Sequence, residues 1–373
     1  MSAPTPPLPR WADLFLLPLI NLCAAFLICG LVVFAIGENP IEAMGVMIQG
    51  AFIFPGGLGY TLFYTTNIIF TGLAVAVAFH AMMFNIGGEG QATIGGIGAA
   101  LAAFAFAWAP GIIALPMAIL GAALAGALWG VVPGYLQAKR GSHIVITTIM
   151  FNFIAASVLV WLLAGPLIQP GQSSPQTSPL PDQTWLPKMS EMLGWIGIET
   201  ARTPLNASFF IALIALVVFW VLIWRTRLGY QIRAVGQNAD AAHYAGINVA
   251  RVIIIAMAIA GAFAGLLATN EILGASHKVV NSFTAGYGFT GIAVALMGRN
   301  HPIGIFLAAL LFGALFQGGV ELDFTYKTIS REMVLLIQGM IILFSGALAY
   351  MFNPPLARLI ARMAAGRGER AYE

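Results

Sequence analysis

Two stretches hold most of the polar side chains that an otherwise apolar chain could use on a solute. The first, Phe84-Asn85-Ile86-Gly87-Gly88-Glu89-Gly90-Gln91, sets one carboxylate and two amides among three glycines. An ionisable side chain such as Glu89 beside apolar runs is a functional candidate by default. The same carboxylate can also cap the helix that follows, by accepting from its free N–H groups. The two roles are compatible. The second stretch, Asn281-Ser282-Phe283-Thr284-Ala285-Gly286-Tyr287-Gly288-Phe289, leads into a short apolar run that ends at Gly298-Arg299-Asn300-His301-Pro302. Short segments broken by Gly and Pro point to a translocation path. Phe283, Tyr287 and Phe289 offer flat faces to a planar or sugar-like solute, or are ordinary aromatics of the membrane interface. Asn85, Glu89, Gln91, Phe283, Tyr287 and Phe289 are therefore the candidate path residues.

Catalytic signatures are missing. None of Lys139, Lys188, Lys278 and Lys327 follows a glycine, so no GxxxxGK[ST] phosphate loop exists. No HExxH surrounds any of the five histidines, and Ser345-Gly346 lacks the glycine of a GxSxG nucleophile turn. His80 and His301 read as packed or interfacial side chains, and no catalytic residue, metal or cofactor is expected. Cys23 and Cys29 share one apolar run and read as a buried, inert pair.

The elements that must hold these residues are membrane spans. With 60% hydrophobic and 8% charged residues, the chain is unlike a soluble domain, of which about a quarter is charged. Its apolar runs are continuous and recurrent, which predicts an all-α polytopic transmembrane bundle rather than a barrel. About ten spans are expected. They run Leu14–Ile36, Thr61–Phe84, Gln91–Trp108, Ile112–Leu136, Ile144–Ala164, Ala207–Trp224, Val252–Leu273, Tyr287–Gly298, Ile303–Gly319 and Glu332–Phe352. A polar link with Gly and Pro joins the first two spans as far as Tyr60. The start, MSAPTPPLPRWAD, lacks the basic region and cleavage site of a signal peptide, so the first span is expected to be retained.

Orientation follows from Lys and Arg. With the N-terminus inside, ten crossings leave twelve of the seventeen basic residues inside and five outside. Both termini are then expected in the cytoplasm, with 1–13 as a leading segment, 14–352 as the membrane domain and 353–373 as a basic tail. The proline-rich link 165–206, with Trp185 and Trp195 placed for the membrane interface, falls outside. The polar stretch 225–251, RTRLGYQIRAVGQNADAAHYAGINVAR, falls inside. Within it, residues 238–246 read as one short helix capped by Asn238 and stopped by Gly246. Such a rigid handle suits a soluble partner. A faint internal echo also pairs Phe70-Thr71-Gly72-Leu73-Ala74-Val75-Ala76 with Phe289-Thr290-Gly291-Ile292-Ala293-Val294-Ala295.

Asp240-Ala241-Ala242 followed by Gly246 resembles the EAA-type loop of permease subunits of ATP-binding-cassette importers, with Asp in the Glu place. GYQIRAVGQNADAAHYAGINVAR is similar to the form used by the branched-chain amino acid and simple-sugar permease group. FNIGGEGQ and GYGFTGIAVALMGRNHPIG resemble its nucleoside-type branch. The resemblance spans about residues 60–350. It implies that Asn238, Asp240, Ala241, Ala242 and Gly246 form a coupling helix docking on a separate ATPase. It also implies a second permease subunit, a copy of this chain or a different one, and an extracytoplasmic BMP-like binding protein. The expected setting is a bacterial inner membrane, with lipid and no nucleic acid as surroundings.

The expected function is thus import of a small polar solute, a nucleoside first and a simple sugar as the alternative. A rival class is an ion-coupled secondary transporter, which would need carboxylates within the membrane. Glu89 and Glu271 are the candidates in or beside the spans.

Overall fold

Inside hydrocarbon every backbone N–H and C=O must find its partner within the protein, which favours helices. The computed structural model describes residues 9, 12, 16–326, 329, 333–337, 339–340 and 357, and most of these are helical. They contain no strand, only isolated bridges of Gln176 with Val280 and Lys188 with Asn206.

The chain divides into two units, Met1–Gly50 with Gly318–Glu373, and Ala51–Gln317. In the smaller unit, α1 (Leu17–Ala35) turns at Gly37 into α2 (Pro40–Phe52), and the two are bent by 118°. Asn39 starts α2 by accepting from the Ile41 N–H at 3.0 Å. The expected link before Tyr60 is therefore mostly helix, because the sparse polar residues Glu42 and Gln49 interrupt an otherwise helix-compatible run. Cys29 is buried, as the sequence suggested, whereas Cys23 is exposed because it lies on the outer side of α1.

The larger unit holds α3 (Gly57–His80), α4 (Gly88–Ala105), α5 (Gly111–Arg140) and α6 (Ile144–Ala164). After the link come α7 (Met189–Gly194), α8 (Ser208–Arg225), α9 (Arg227–Gln237), α10 (Ala239–Tyr244) and α11 (Val249–Gly265). The chain then passes through a π-helical segment, Thr269–Ser276, to α12 (Tyr287–Met297) and α13 (Pro302–Thr325). The most buried span is α3, against which α12, α11, α8 and α4 pack. Around it, α11 packs along α5 and α4 along α5.

Lipid gives no hydrophobic drive for helices to associate, so small residues must let backbones approach. A Cβ on Gly126 of α5 would stand 2.2 Å from the Gly261 carbonyl oxygen of α11, and one on Gly261 would stand 2.1 Å from that of Gly126. The echo segments meet in the same manner. A Cβ on Gly291 would meet Thr71 Oγ1 at 2.5 Å, and one on Gly72 would meet Val294 at 3.3 Å. The two similar strings thus pack on each other through their glycines.

Among the described residues, six helices are long and apolar enough to cross a membrane, or seven if α1 and α2 form one bent span. The difference from ten has local causes. Glycines and a polar first turn keep α4 below the hydropathy of a span. The eleven residues of α12 reach only about 17 Å at ~1.5 Å each, short of a ~30 Å core. The expected span Glu332–Phe352 and the segments 1–13 and 353–373 lie mostly outside the described residues.

The proline-rich link is ordered along the π-helical segment and the residues just after it. Thr177, Leu180 and Leu186 donate backbone bonds to Val279, His277 and Leu273 at 3.0, 2.8 and 2.9 Å. Trp185 is not a simple interfacial anchor, for its ring stacks on His277 at 3.9 Å and 13°. Trp195 is 76% exposed.

The glycine contact between α5 and α11 generates a direct expectation. Gly261→Val drives a side chain into the α5 backbone and should cost about 1–3 kcal/mol or prevent assembly. Thermal unfolding of the detergent-solubilised protein measures it, and an unchanged midpoint would show that α5 and α11 are not interlocked there.

Candidate functional site

The two glycine-rich breaks, nearly two hundred residues apart, meet. Glu89, in the first turn of α4, reaches across to the loop before α12. Its Oε1 accepts from Thr284 Oγ1 at 2.6 Å and from the Gly286 N–H at 3.0 Å, and its Oε2 accepts from the Gly288 N–H at 2.8 Å. The close approach needs glycine at 288, while a side chain at 88 would only come into ordinary contact. A Cβ on Gly288 would lie 2.2 Å from the Glu89 nitrogen, and one on Gly88 would lie 3.4 Å from the Gly288 carbonyl oxygen.

The loop so held is strained. Ser282 and Ala285 have φ of 58° and 46°, and Gly286 follows at 80°. A left-handed conformation costs roughly 1–2 kcal/mol for an ordinary L residue. Hydrogen bonds to a charged acceptor contribute roughly 1.5–3 kcal/mol each, enough to offset that strain. Glu89 therefore caps the broken end of α12 rather than its own helix, a role that the local sequence alone does not reveal.

The first break is satisfied from α6. Asn152 Oδ1 accepts from the Gly90 N–H at 2.9 Å, and Asn152 Nδ2 donates to the Ile86 carbonyl at 2.9 Å. The Ile86 N–H donates to Thr148 Oγ1 at 3.3 Å. Asn85 accepts from the Gly87 N–H at 2.9 Å and donates to Gln91 Oε1 at 3.1 Å. Asn85 and Gln91 are each 1% exposed, so the Asn85 amide serves the backbone of the break and the Gln91 amide holds Asn85 in place. Thr148 and Asn152 escaped the sequence reading, although their spacing of four residues puts them on one face of an otherwise apolar span.

The three aromatics divide. Phe283 is buried against Gly96, whose added Cβ would touch its ring at 2.3 Å. Tyr287 is buried in a triangle with Tyr64 and Phe316, at ring separations of 6.5 and 5.7 Å. Phe289 is 50% exposed. His80 is packed, hydrogen-bonded to the Ala76 carbonyl at 2.8 Å and edge-on to Phe219 and Trp224. His301 also meets Trp224 at 5.5 Å. Among the described residues, no group of three or more His, Cys, Asp and Glu side chains could hold a metal.

The polar stretch 225–251 is an elbow of two helices. Thr226 caps α9 by accepting from the Gly229 N–H at 3.0 Å, and Arg225 lies over the Trp220 ring at 5.0 Å. Gly229 and Gly236 face the backbones of α8 and His80, with Ile232 and Val235 buried beside them. Asn238 Oδ1 then caps α10 through the Ala241 N–H at 2.9 Å, and Gly246 leaves it with φ of 80°. This is the capped helix that the sequence predicts. Within it Ala242 turns inward and is 3% exposed, while Asp240, Ala241, His243 and Tyr244 are exposed. The docking candidates therefore split between an inward anchor and an outward face.

A multi-pass bundle with broken helices clasped together inside it, and an exposed helical elbow at one end, has the architecture of a solute transporter. The profile of the branched-chain amino acid transport system permease component matches residues 57–346. The chain is 36% identical to a nucleoside ABC transporter permease of Lactococcus lactis over 332 residues, 88% of this chain and 90% of that one. A guanosine ABC transporter permease of Bacillus subtilis is also 36% identical over 330 residues, 88% and 92% of the two chains. A glucose ABC transporter permease of Haloferax volcanii is 32% identical over 327 residues, 88% and 86%. The chain belongs to this permease family of ATP-binding-cassette transporters. It is a membrane subunit and not an enzyme, and membership implies an ATPase on another chain.

Glu89→Ala should leave the Gly286 and Gly288 amides without their acceptor, at about 1–3 kcal/mol for each buried group. Glu89→Gln keeps one acceptor oxygen and should lose less. Thermal unfolding of the two variants in detergent ranks them, and equal stability to the parent would remove Glu89 from the role of clasp.

Proposed function

We propose that this chain is the permease of an importer that carries nucleosides across a bacterial inner membrane. The observation that carries the reading is the 36% identity, over 88% of the chain, to two permeases whose names specify nucleoside and guanosine. A simple sugar is the second reading, supported by the glucose permease at 32% identity. The path candidates are Asn85, Glu89, Gln91, Phe283, Tyr287 and Phe289. In this reading Glu89, Asn85 and Gln91 act by keeping the two breaks in register, and Tyr287 comes closest to solute.

The remaining assembly follows from the elbow and the basic residues. Both termini and the elbow lie in the cytoplasm, the membrane domain spans 14–352 in about ten crossings, and 165–206 lies outside. Asn238, Asp240, Ala241, Ala242 and Gly246 build the coupling helix. Ala242 and Gly246 shape it, and Asp240, Ala241 and Tyr244 meet the ATPase. A second permease, identical or different, completes the path, and a BMP-like binding protein delivers solute to the outer side. Closure of the ATPases moves the elbow as a rigid body and switches the pair between outward- and inward-facing states.

Two measurements test this. Proteoliposomes with the co-expressed complex and internal ATP should accumulate labelled guanosine in preference to glucose. Uptake of glucose alone would transfer the protein to the sugar reading, and uptake by this chain alone along a proton or sodium gradient would end the importer reading. Ala241→Arg and Tyr244→Ala should each lower ATP-dependent uptake at least tenfold with normal membrane insertion. Full uptake in both variants would take the docking role away from α10.

A further inference from the structure

A second carboxylate lies at membrane depth, and the fold has not consumed it. Glu271 belongs to the π-helical segment Thr269–Ser276 at the end of the apolar helix Val249–Ser276. Single π turns in otherwise α-helical elements recur at functional sites because they re-aim side chains. Here the segment turns Asn270 and Glu271 towards α3. Asn270 Nδ2 donates to the Phe63 carbonyl at 2.9 Å and to Asn67 Oδ1 at 2.8 Å. Asn270 Oδ1 in turn accepts from Asn206 at 2.9 Å and from Ser208 at 2.8 Å. Asn67, Asn206 and Asn270 are fully buried. Asn67 lies ten residues beyond Gly57 along α3, roughly 15 Å at ~1.5 Å per residue, near the middle of a ~30 Å core.

This frame presents Glu271. Asn67 Nδ2 donates to Glu271 Oε1 at 2.5 Å. No hydrogen bond to Glu271 Oε2 is found among the described residues, and the side chain is only half-buried. An ionised carboxylate accepts at both oxygens, through about four lone-pair sites. The contrast with Glu89 is direct, since both oxygens of Glu89 hold the α12 loop. Beside Glu271 stands the triangle of Tyr64, Tyr287 and Phe316, with Tyr64 and Phe316 5.7 Å apart. Tyr64 precedes Asn67 by three residues on α3, so the two share one face of that helix. Tyr64 and Phe316 are half-buried, so the triangle, like the carboxylate, keeps an open side.

We propose that Glu271, presented by Asn67 beside Tyr64, Tyr287 and Phe316, is a solute-reading station within the membrane. It takes a planar, ring-bearing solute with two adjacent N–H or O–H donors. The donors hydrogen-bond the carboxylate, chiefly its open Oε2, while the ring lies against the aromatic triangle. This rests on the nucleoside reading above, and a nucleoside offers such a pair in two places: the N1–H and 2-amino edge of guanine, and the 2′,3′-diol of ribose.

The test compares the complete transporter carrying Glu271→Gln with the parent in ATP-loaded proteoliposomes. Rates are taken for guanosine, inosine, 2′-deoxyguanosine and 2′,3′-dideoxyinosine. Because the other subunits are common to both preparations, the variant-to-parent ratio isolates this station. The ratio should fall to a tenth or less for guanosine and stay near one for 2′,3′-dideoxyinosine, which lacks both donor pairs. A fall for inosine assigns the ribose diol, and a fall for 2′-deoxyguanosine assigns the base edge. One ratio for all four solutes, whether near one or near zero, overturns the proposal. If the Gln variant fails to co-purify as a complex, Glu271→Asp is scored on the same ratios, with the same outcomes deciding. A parent complex that moves none of the four solutes ends the nucleoside reading itself, and this inference with it.

Discussion

A helix broken at membrane depth leaves backbone amides that no water is present to satisfy, and this one constraint explains why Glu89 is where it is. A neutral amide offers one acceptor oxygen, whereas the carboxylate serves two amides and a hydroxyl from two oxygens. Accepting that bond set fixes the first turn of α4 against the loop before α12. It also requires glycine at 288, and it tolerates the left-handed residues at 282 and 285. On the other side of the same turn, Thr148 and Asn152 answer the amides and carbonyl of 86 and 90. The two breaks are one structure, closed by side chains from α4 and α6.

Polar bonding and glycine contact divide the work of holding the bundle. Where polar side chains are absent, helices come together backbone to backbone, as at Gly126 and Gly261. Where they are present, they form closed chains, such as Ser208 and Asn206 to Asn270, Asn270 to Asn67, and Asn67 to Glu271. Dispersion and short hydrogen bonds thus replace the hydrophobic drive that a soluble protein would use.

Much of this was legible in the residues. Continuous apolar runs predict helices, and the cap at Asn238 and the stop at Gly246 fall where their types require. The glycine-rich strings at 84–91 and 281–289 are breaks, as their composition demands. What lay hidden depends on partners remote in sequence. Nothing local says that Glu89 is consumed by a loop two hundred residues away, or that Asn85 and Gln91 face inward. The same holds for Ala242, which reads like its neighbours yet is the one turned into the protein. Two local signals were present and passed over: the four-residue spacing of Thr148 and Asn152, and the amphipathic pattern of α9. Glu271 stood beside Glu89 as an ambiguous carboxylate, and only the count of its hydrogen bonds separates the two.

The interlocked pair of α5 and α11 has a mechanical consequence. Asn248 begins α11 just after the exposed elbow, and the helix Val249–Ser276 continues without a loop to Glu271, a run of roughly 33 Å at ~1.5 Å per residue. Keyed to α5 at Gly126 and Gly261, it is braced against buckling along its middle. In the proposed transport cycle a push on the elbow is carried along this braced run from Val249 to Glu271 as displacement, which makes it the push-rod of the exchange between outward- and inward-facing states.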